Sequence, residues 1–498
     1  MTQFTDGQTV VNAAWLNGVD KAVNQSGTTA GAALISYTPP GTGSVAISVS
    51  GFLGALPYSV WNVMSAAQIA DSSSFTGSID LSSVIQQAVN NCNGRLYFPP
   101  GSYKFGGVTM TSPIIIEGSG SDEFVGSINT GTRFVPASST ATLFTLNAQG
   151  GGVFRDFSVQ GLPQTANALF QIEYTSAVSV ANAFTLFDNV RIDSCFWGIN
   201  IISALLWTVR NCTFWNIANT GIGVLVQNTF NSDQGDGNVQ GCTFSPLTLG
   251  TNSASAVTWS TGGAGLRMIN NKSFCGTGLN ANLTVSQATG QITVEGNSFD
   301  NSNAAINMFI LSGTFAFSNI TIVANNFESY NANASFISVG GFSTAHISDL
   351  LISDNMIEQL GGSITGNGAI QIQGYVDRLT ISDNHIYSSL GASSGIFVGT
   401  NNTAGQVNDN NIIGFSTEVS SASPGIRVRG RRNAGTQSAS AATSVVVTHN
   451  LGVTPGKIWA TPSGANTGNW WITAASSTQF TINWATSSSP TWAWEVEV

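Results

Sequence analysis

The stretch Leu350-Leu-Ile-Ser-Asp-Asn-Met-Ile-Glu358 decides the fold, because it returns. It reads Leu379-Thr-Ile-Ser-Asp-Asn-His-Ile-Tyr387 one pass later and Ile292-Thr-Val-Glu-Gly-Asn-Ser-Phe-Asp300 earlier in the chain. Asp-Asn between alternating apolar residues signals a hairpin when the two strands are close neighbours. Here the copies mostly recur every 25 to 33 residues, an interval that implies stacked coils. The body is therefore expected to be all-β: a single-stranded, right-handed parallel β-helix of about ten or more coils.

Alignment on that turn supports the period. Between residues 150 and 415, ten coils place Val159, Ile192, Phe214, Phe244, Phe274, Phe299, Phe327, Ile357, Ile386 and Ile412 in one column. Five positions earlier stand Phe154, Phe187, Val209, Val239, Ile269, Val294, Ile322, Ile352, Ile381 and Val407. Every member is apolar, as two inward-facing stacks require. Two positions before the later column lie Asn297, Asn325, Asn355, Asn384 and Asn410, which are expected to stack at the turn and hydrogen-bond along the axis. Cys212 and Cys242 hold the same column in earlier coils, as small buried hydrophobes.

Composition agrees with such a stack and excludes other classes. Only 8% of residues are charged and Gly numbers 55, which suits many strands joined by tight turns. A net charge of −10 argues against nucleic acid, whose phosphates need clustered Lys and Arg. The one basic run, Arg427, Arg429, Arg431 and Arg432, reads as a local junction. Five scattered cysteines without a CxxC pair suggest reduced thiols in a chain folded in a cytoplasm. Neither a signal peptide nor an apolar run of about 18 residues is present, so membrane insertion is not expected.

Around the stack the chain divides into four parts. Residues 1–77 read as an N-terminal segment and linker. Within it Val11, Ala14, Trp15, Val19 and Val23 fall at helical spacing, and Asn12 is placed to cap. The body is expected over 78–432, opening with an amphipathic helix at 78–89 and a strand from Arg95 into Pro99-Pro-Gly-Ser-Tyr103. Residues 433–443 read as a flexible linker. Residues 444–498 read as a small β domain that serves trimerisation or carbohydrate binding. It holds six of the twelve tryptophans, more aromatic surface than so short a unit buries alone. Homotrimer formation is the expected solution.

Several phrases resemble one family in order along the chain. Phe4-Thr-Asp-Gly7 with Asn12-Ala-Ala-Trp-Leu-Asn17, and Tyr37-Thr-Pro-Pro-Gly-Thr-Gly-Ser-Val45, resemble the openings of bacteriophage tail fibres and tailspikes. The helix, aromatic strand and Pro-Pro-Gly-x-Tyr turn resemble the first coil of pectate-lyase-like β-helices, although the Asp-Gly-x-x-Asp-Asp string of that family is missing and only Asp71 and Asp80 remain. Thr448-His-Asn-Leu-Gly452 is similar to C-terminal modules of phage tail proteins. The resemblance implies an intertwined homotrimeric tailspike in the virion tail, attached to tail or baseplate proteins through residues 1–25. It would fold in the host cytoplasm, then bind and depolymerise a bacterial surface polysaccharide, capsule or O-antigen, outside the cell.

The residues themselves suggest where chemistry sits. No nucleophile elbow, Walker loop, HExxH or Cys/His metal pattern occurs, so neither metal nor cofactor is called for. His449 precedes a turn that it is expected to order, and His385 faces outward. The outward column following the last inward residue reads Asp193, Trp215, Ser245, Cys275, Asp300, Glu328, Glu358 and Tyr387. Three carboxylates, Asp300, Glu328 and Glu358, thus stack about 4.8 Å apart per coil. An acid and a base sharing a site is what glycoside hydrolysis uses. Adjacent coils approximate the ~5–5.5 Å of a retaining enzyme, and alternate coils fit an inverting one better. A solvated acidic stripe is the plainer alternative. Hydrolysis is favoured over elimination because basic residues near the column are sparse. Trp215, Tyr387, Trp197 and Trp259 are candidate platforms for the apolar faces of sugars. Arg155, Asp188 and Arg210 form another outward column, expected to tie neighbouring coils by charge. A non-enzymatic receptor-binding spike is the competing reading from another class.

Overall fold

The computed structural model describes residues 57–497 except 122–129, 148–149, 162–166, 174–182, 203, 228–235, 250–252, 261–264, 286–289, 301–302, 314–316, 330–334, 390–393, 430–431, 450, 452–453 and 464–467. Of the first 56 residues it describes Phe4–Thr5 paired with Val10–Val11, and Ser36–Tyr37 paired with Ile47–Ser48. The helix expected from Val11 to Val23 otherwise lies outside the described residues.

The body is a parallel β-solenoid in which each strand pairs with its counterpart one coil away. Each upper coil contributes three strands. Face A holds, among others, Gln291–Glu295, Phe317–Val323, Ile347–Ser353, Val376–Ser382 and Gly405–Asn408. Face B holds Ser298–Asp300, Asn326–Ser329, Met356–Gln359, His385–Ser388 and Asn411–Ile413. Face C holds Ile306–Gly313, Ile337–Gly341, Ile370–Gly374 and Ser394–Val398. The faces enclose one continuous apolar core. Like side chains stack along it: Phe299 on Phe327 at 5.1 Å, Phe214 on Phe244 at 4.8 Å and Phe154 on Phe187 at 4.7 Å. Each such ring removed from water contributes about 1.5–3 kcal/mol.

The repeated Asp-Asn divides its labour. The first residue takes the left-handed backbone, with φ of 57° at Asp354, 58° at Asp383 and 55° at Asp409, and Gly296 and Ala324 take it in other coils. The following Asn turns inward, buried at Asn297, Asn325, Asn355 and Asn384 and half-buried at Asn410. Asn355 donates to Asn384 Oδ1 at 2.8 Å, to Ile322 O at 2.9 Å and to Ser353 O at 2.9 Å. The same pattern joins Asn271, Asn297, Asn325, Asn355, Asn384 and Asn410 into one ladder.

Asn271 exposes a slip in the sequence alignment. Phe274 and Ile269 were expected inside, but Ser273 pairs between Phe244 and Phe299, and Met268 between Val239 and Val294. That coil sits one residue earlier than its apolar pattern suggests. Such a shift exchanges every side chain between the two sides of a strand. The buried carboxamide of Asn271, bonded to Asn297 and to Val239 O at 2.9 Å each, outweighs the better hydrophobicity of Phe274. Cys275, expected outside, is fully buried, and Phe274 is the outward residue.

The lower end is closed by helices. Helix α1, Ala66–Ser73, begins at a capping box between Ser65 and Gln68. Helix α2, Ser82–Asn91, presses Ile85, Ala88 and Val89 onto the core. The two acids left from the missing family string act locally. Asp71 accepts from Ser78 Oγ at 2.6 Å and Asp80 from Ser82 N at 2.9 Å, which fixes the chain between the helices. Tyr103 is buried, donating to Pro99 O and accepting from Trp61 Nε1. The packed body thus reaches back to Tyr58, whose strand pairs with Leu96, ahead of residue 78.

The C-terminal unit contains two three-stranded antiparallel sheets. Their facing sides bury Val447, Phe480, Ile482, Trp484, Trp492, Trp494 and Val496. The segment read as a linker is instead a strand, Arg432–Ser438, fully paired with Thr491–Glu497. Its polar, Gly-containing sequence hides the role, because Gly435 makes room for an indole. A Cβ there would lie 2.8 Å from Trp494 Cζ2. His449 orders the turn as expected: Leu451 N donates to its Nδ1, and its Nε2 lies 3.1 Å from Ser476 O. Burial holds its pKa below the ordinary histidine value. No helix among the described residues is long and apolar enough to cross a membrane.

Candidate functional site

The outward side of face B carries the carboxylates. Its strands follow the ladder turn directly, so the buried Asn sets the register of the whole face. Asp300 pairs with Glu328, and Glu328 with Glu358, on three consecutive coils, and Tyr387 continues the column above them. All four side chains are half-buried. Phe274 stands in the position below Asp300, where Cys275 was expected.

The three acids are not equivalent. Asp300 accepts from Ser298 Oγ at 2.9 Å and lies 3.5 Å from Lys272 Nζ. Lys272 in turn sits 4.8 Å above the Phe274 ring. Glu328 and Glu358 have neither hydrogen-bond nor ion-pair partner among the described residues. Their oxygens are therefore the ones open to a ligand. Beside them His385, one coil above Met356, accepts at Nδ1 from Asn411 Nδ2 at 2.9 Å. Lys272, Phe274 and His385 were missed as site residues. For the first two the cause is the slipped coil, which hid that Lys272 and Ser298 are neighbours.

The aromatic candidates separate by position. Trp215 is 43% exposed and belongs to the same column, but Ser245 and Phe274 intervene before Asp300. Trp197 is half-buried against Phe196 at 5.6 Å, on the face C side of a bulge. Trp259 is 1% exposed and packs edge-on to Phe317 at 6.3 Å. Its ring is core, so the expectation that it meets a sugar is corrected; the crowding of tryptophans in sequence carries no information on which way each one points. The charge column behaves as expected: Arg210 donates to Asp188 at 2.7 Å, and Glu117 accepts from both Arg95 and Arg155.

No family model and no curated protein matches the chain. Its fold is similar to that of the A-module of a mannuronan C-5 epimerase from Azotobacter vinelandii, at 15% identity and a TM-score of 0.50, covering 75% of this chain and 98% of that one. Several other similar structures are phage tailspikes. That of Escherichia coli bacteriophage HK620, in complex with a pentasaccharide, shares 11% identity at a TM-score of 0.45, over 94% of this chain and 98% of that one. That of Acinetobacter baumannii bacteriophage Fri1, a capsular polysaccharide depolymerase, shares 10% at a TM-score of 0.37, over 84% and 82%. At such identities the likeness establishes the fold, a parallel β-helix, and nothing about chemistry.

Proposed function

We propose that this chain is a phage tailspike whose β-helix binds and cleaves a bacterial surface polysaccharide by hydrolysis at Glu328 and Glu358. The observation that carries the reading is the in-register column Asp300–Glu328–Glu358, part-exposed and with its two upper members unpartnered among the described residues. In this reading one glutamic acid protonates the leaving oxygen while the other attacks the anomeric carbon or activates water. Adjacent rungs favour the retaining course. Asp300, engaged by Lys272 and Ser298, positions rather than reacts. Tyr387 and Trp215 offer rings to sugars bound above and below. Assembly as a homotrimer, anchored to the tail through residues 1–25, would present three sites to a repetitive polymer and so add avidity.

Lys272 favours a second reading. Elimination from a uronic acid takes a proton from the sugar with a base such as the neutral amine of a lysine, and Lys272 lies 3.5 Å from Asp300 in this column. Purified protein incubated with capsule or lipopolysaccharide distinguishes these outcomes by its released oligosaccharides. Hydrolysis yields saturated ends, and elimination yields an unsaturated, ultraviolet-absorbing end. Glu328→Gln and Glu358→Gln are each expected to lower release about a thousandfold. Full release by both variants would remove the site assignment. Binding without any release would leave a receptor-binding spike.

A further inference from the structure

A groove of about 700 Å³ runs along face A of the upper coils, around the ladder turn from the carboxylate column. Its floor is a register of outward residues one coil apart: Thr321, Leu351, Thr380, Gln406 and Arg427. Its wall is a second register, Asn319, Asp349 and Arg378, each in left-handed backbone with φ of 60°, 56° and 52°. Asn and Asp tolerate that conformation, but Arg rarely adopts it. The result throws Arg378 outward, where Nε and Nη2 donate to the two oxygens of Asp349 at 2.5 and 2.6 Å. Non-glycine residues held this way concentrate at functional positions.

The groove does not stop there. A further hollow of about 470 Å³ begins one coil lower, at Gln291, and carries Arg267. Phe184 stands at its far end, 69% exposed and at φ 71°. Charge singles out two residues along this path. Arg95, Arg155, Arg210, Arg378, Lys272 and Lys457 each meet a carboxylate. Arg267 and Arg427 have no ion-pair partner among the described residues, although the chain carries a net charge of −10. Cations left unmatched in a groove on an acidic protein complement an anion from outside. The binding groups repeat about every 4.8 Å along an open path, which suits a polymer rather than an enclosed small molecule.

We propose that the face A groove is a second glycan site, separate from the carboxylate column, and that its ligand is an acidic polysaccharide. Arg427 and Arg267 receive sugar carboxylates, Thr321, Thr380 and Gln406 bond to hydroxyls, and Phe184 lies against the apolar face of a sugar. The acidic column on face B repels the same charges, so the two faces hold different parts of a chain.

The test uses the full chain carrying Glu358→Gln, titrated calorimetrically with oligogalacturonate and with dextran oligosaccharide of equal length. Saturable, salt-sensitive binding of the uronate but not the dextran is expected. Arg427→Gln and Arg267→Gln should each weaken it about tenfold or more, as loss of a charge-assisted contact does. Arg210→Gln, outside the groove, should leave it unchanged. Failure to bind the uronate, equal binding of dextran, or indifference to both groove variants overturns the proposal. So does a changed sedimentation coefficient in Arg427→Gln with uronate binding intact, which would make the groove an interface between copies of the chain.

Discussion

Removing one rung of the ladder should cost more than removing any one exposed Asn of face B. Asn355 is 1% exposed. Its side chain donates three hydrogen bonds, to Asn384, Ile322 and Ser353, and accepts two, from the backbone N and the Nδ2 of Asn325 at 3.0 Å each. Asn355→Ala deletes all five. Asn384 Oδ1 still accepts from the backbone of residue 355, and Asn325 Nδ2 still reaches Val294 and Val323. Two groups are left wholly dependent on what has gone: the Asn325 N–H and one lone pair of Ile322 O. Each stranded buried group costs about 1–3 kcal/mol, so the loss should be about 4 kcal/mol. Asn326→Ala, one coil below and exposed, should change stability by less than about 0.5 kcal/mol. Because large β-proteins unfold irreversibly, the comparison is made on unfolding rates in denaturant, with hydrogen exchange at the Asn325 amide as the local readout. Equal effects of the two substitutions, or unchanged protection at Asn325, would refute the reasoning.

Two further predictions concern backbone and charge. Ala324 occupies the left-handed turn at φ 54°, where its neighbours in the stack use Asp or Gly; Ala324→Gly should stabilise the body by about 0.5–1 kcal/mol, visible as slower unfolding. The Arg210 guanidinium beside Asp188 holds that carboxyl below the ordinary value of 3.8. A depressed folded value means the stabilisation is complete above the ordinary one and is lost as pH falls through the lower one. The stability gap between the protein and Asp188→Asn should therefore be steady down to about pH 5 and close towards pH 2; a gap that stays constant across that range would show that the pair contributes through packing instead of charge.

The period, the inward columns and the outward carboxylates were legible because a β-helix repeats its own pattern at fixed length. Ile352 above Ile322 above Val294 is visible without coordinates. The coil at 265–275 was not legible, since apolar residues occur there on both sides of the strand and only the bonds of Asn271 choose between them. The same ambiguity hid Lys272 beside Asp300, whereas Trp259 ends a strand, Ser255–Trp259, buried on both sides, whose sequence has no alternation to show which way the ring points. The strand at 432–438 was missed for a related reason: its partner lies more than fifty residues away, and a Gly that seats an indole looks the same in sequence as a Gly that bends.

By itself, then, the sequence determined the coil length, the apolar core and the identity of three acids in one column, because each depends on spacing along the chain. Only the tertiary structure decided which acids are free. Whether, among the described residues, Glu328 and Glu358 lack partners while Asp300 has Lys272, and Arg427 stands unmatched in a groove, depends on neighbours one coil away. Those neighbours are set by register, and register is decided by buried hydrogen bonds whose two ends lie far apart in the chain.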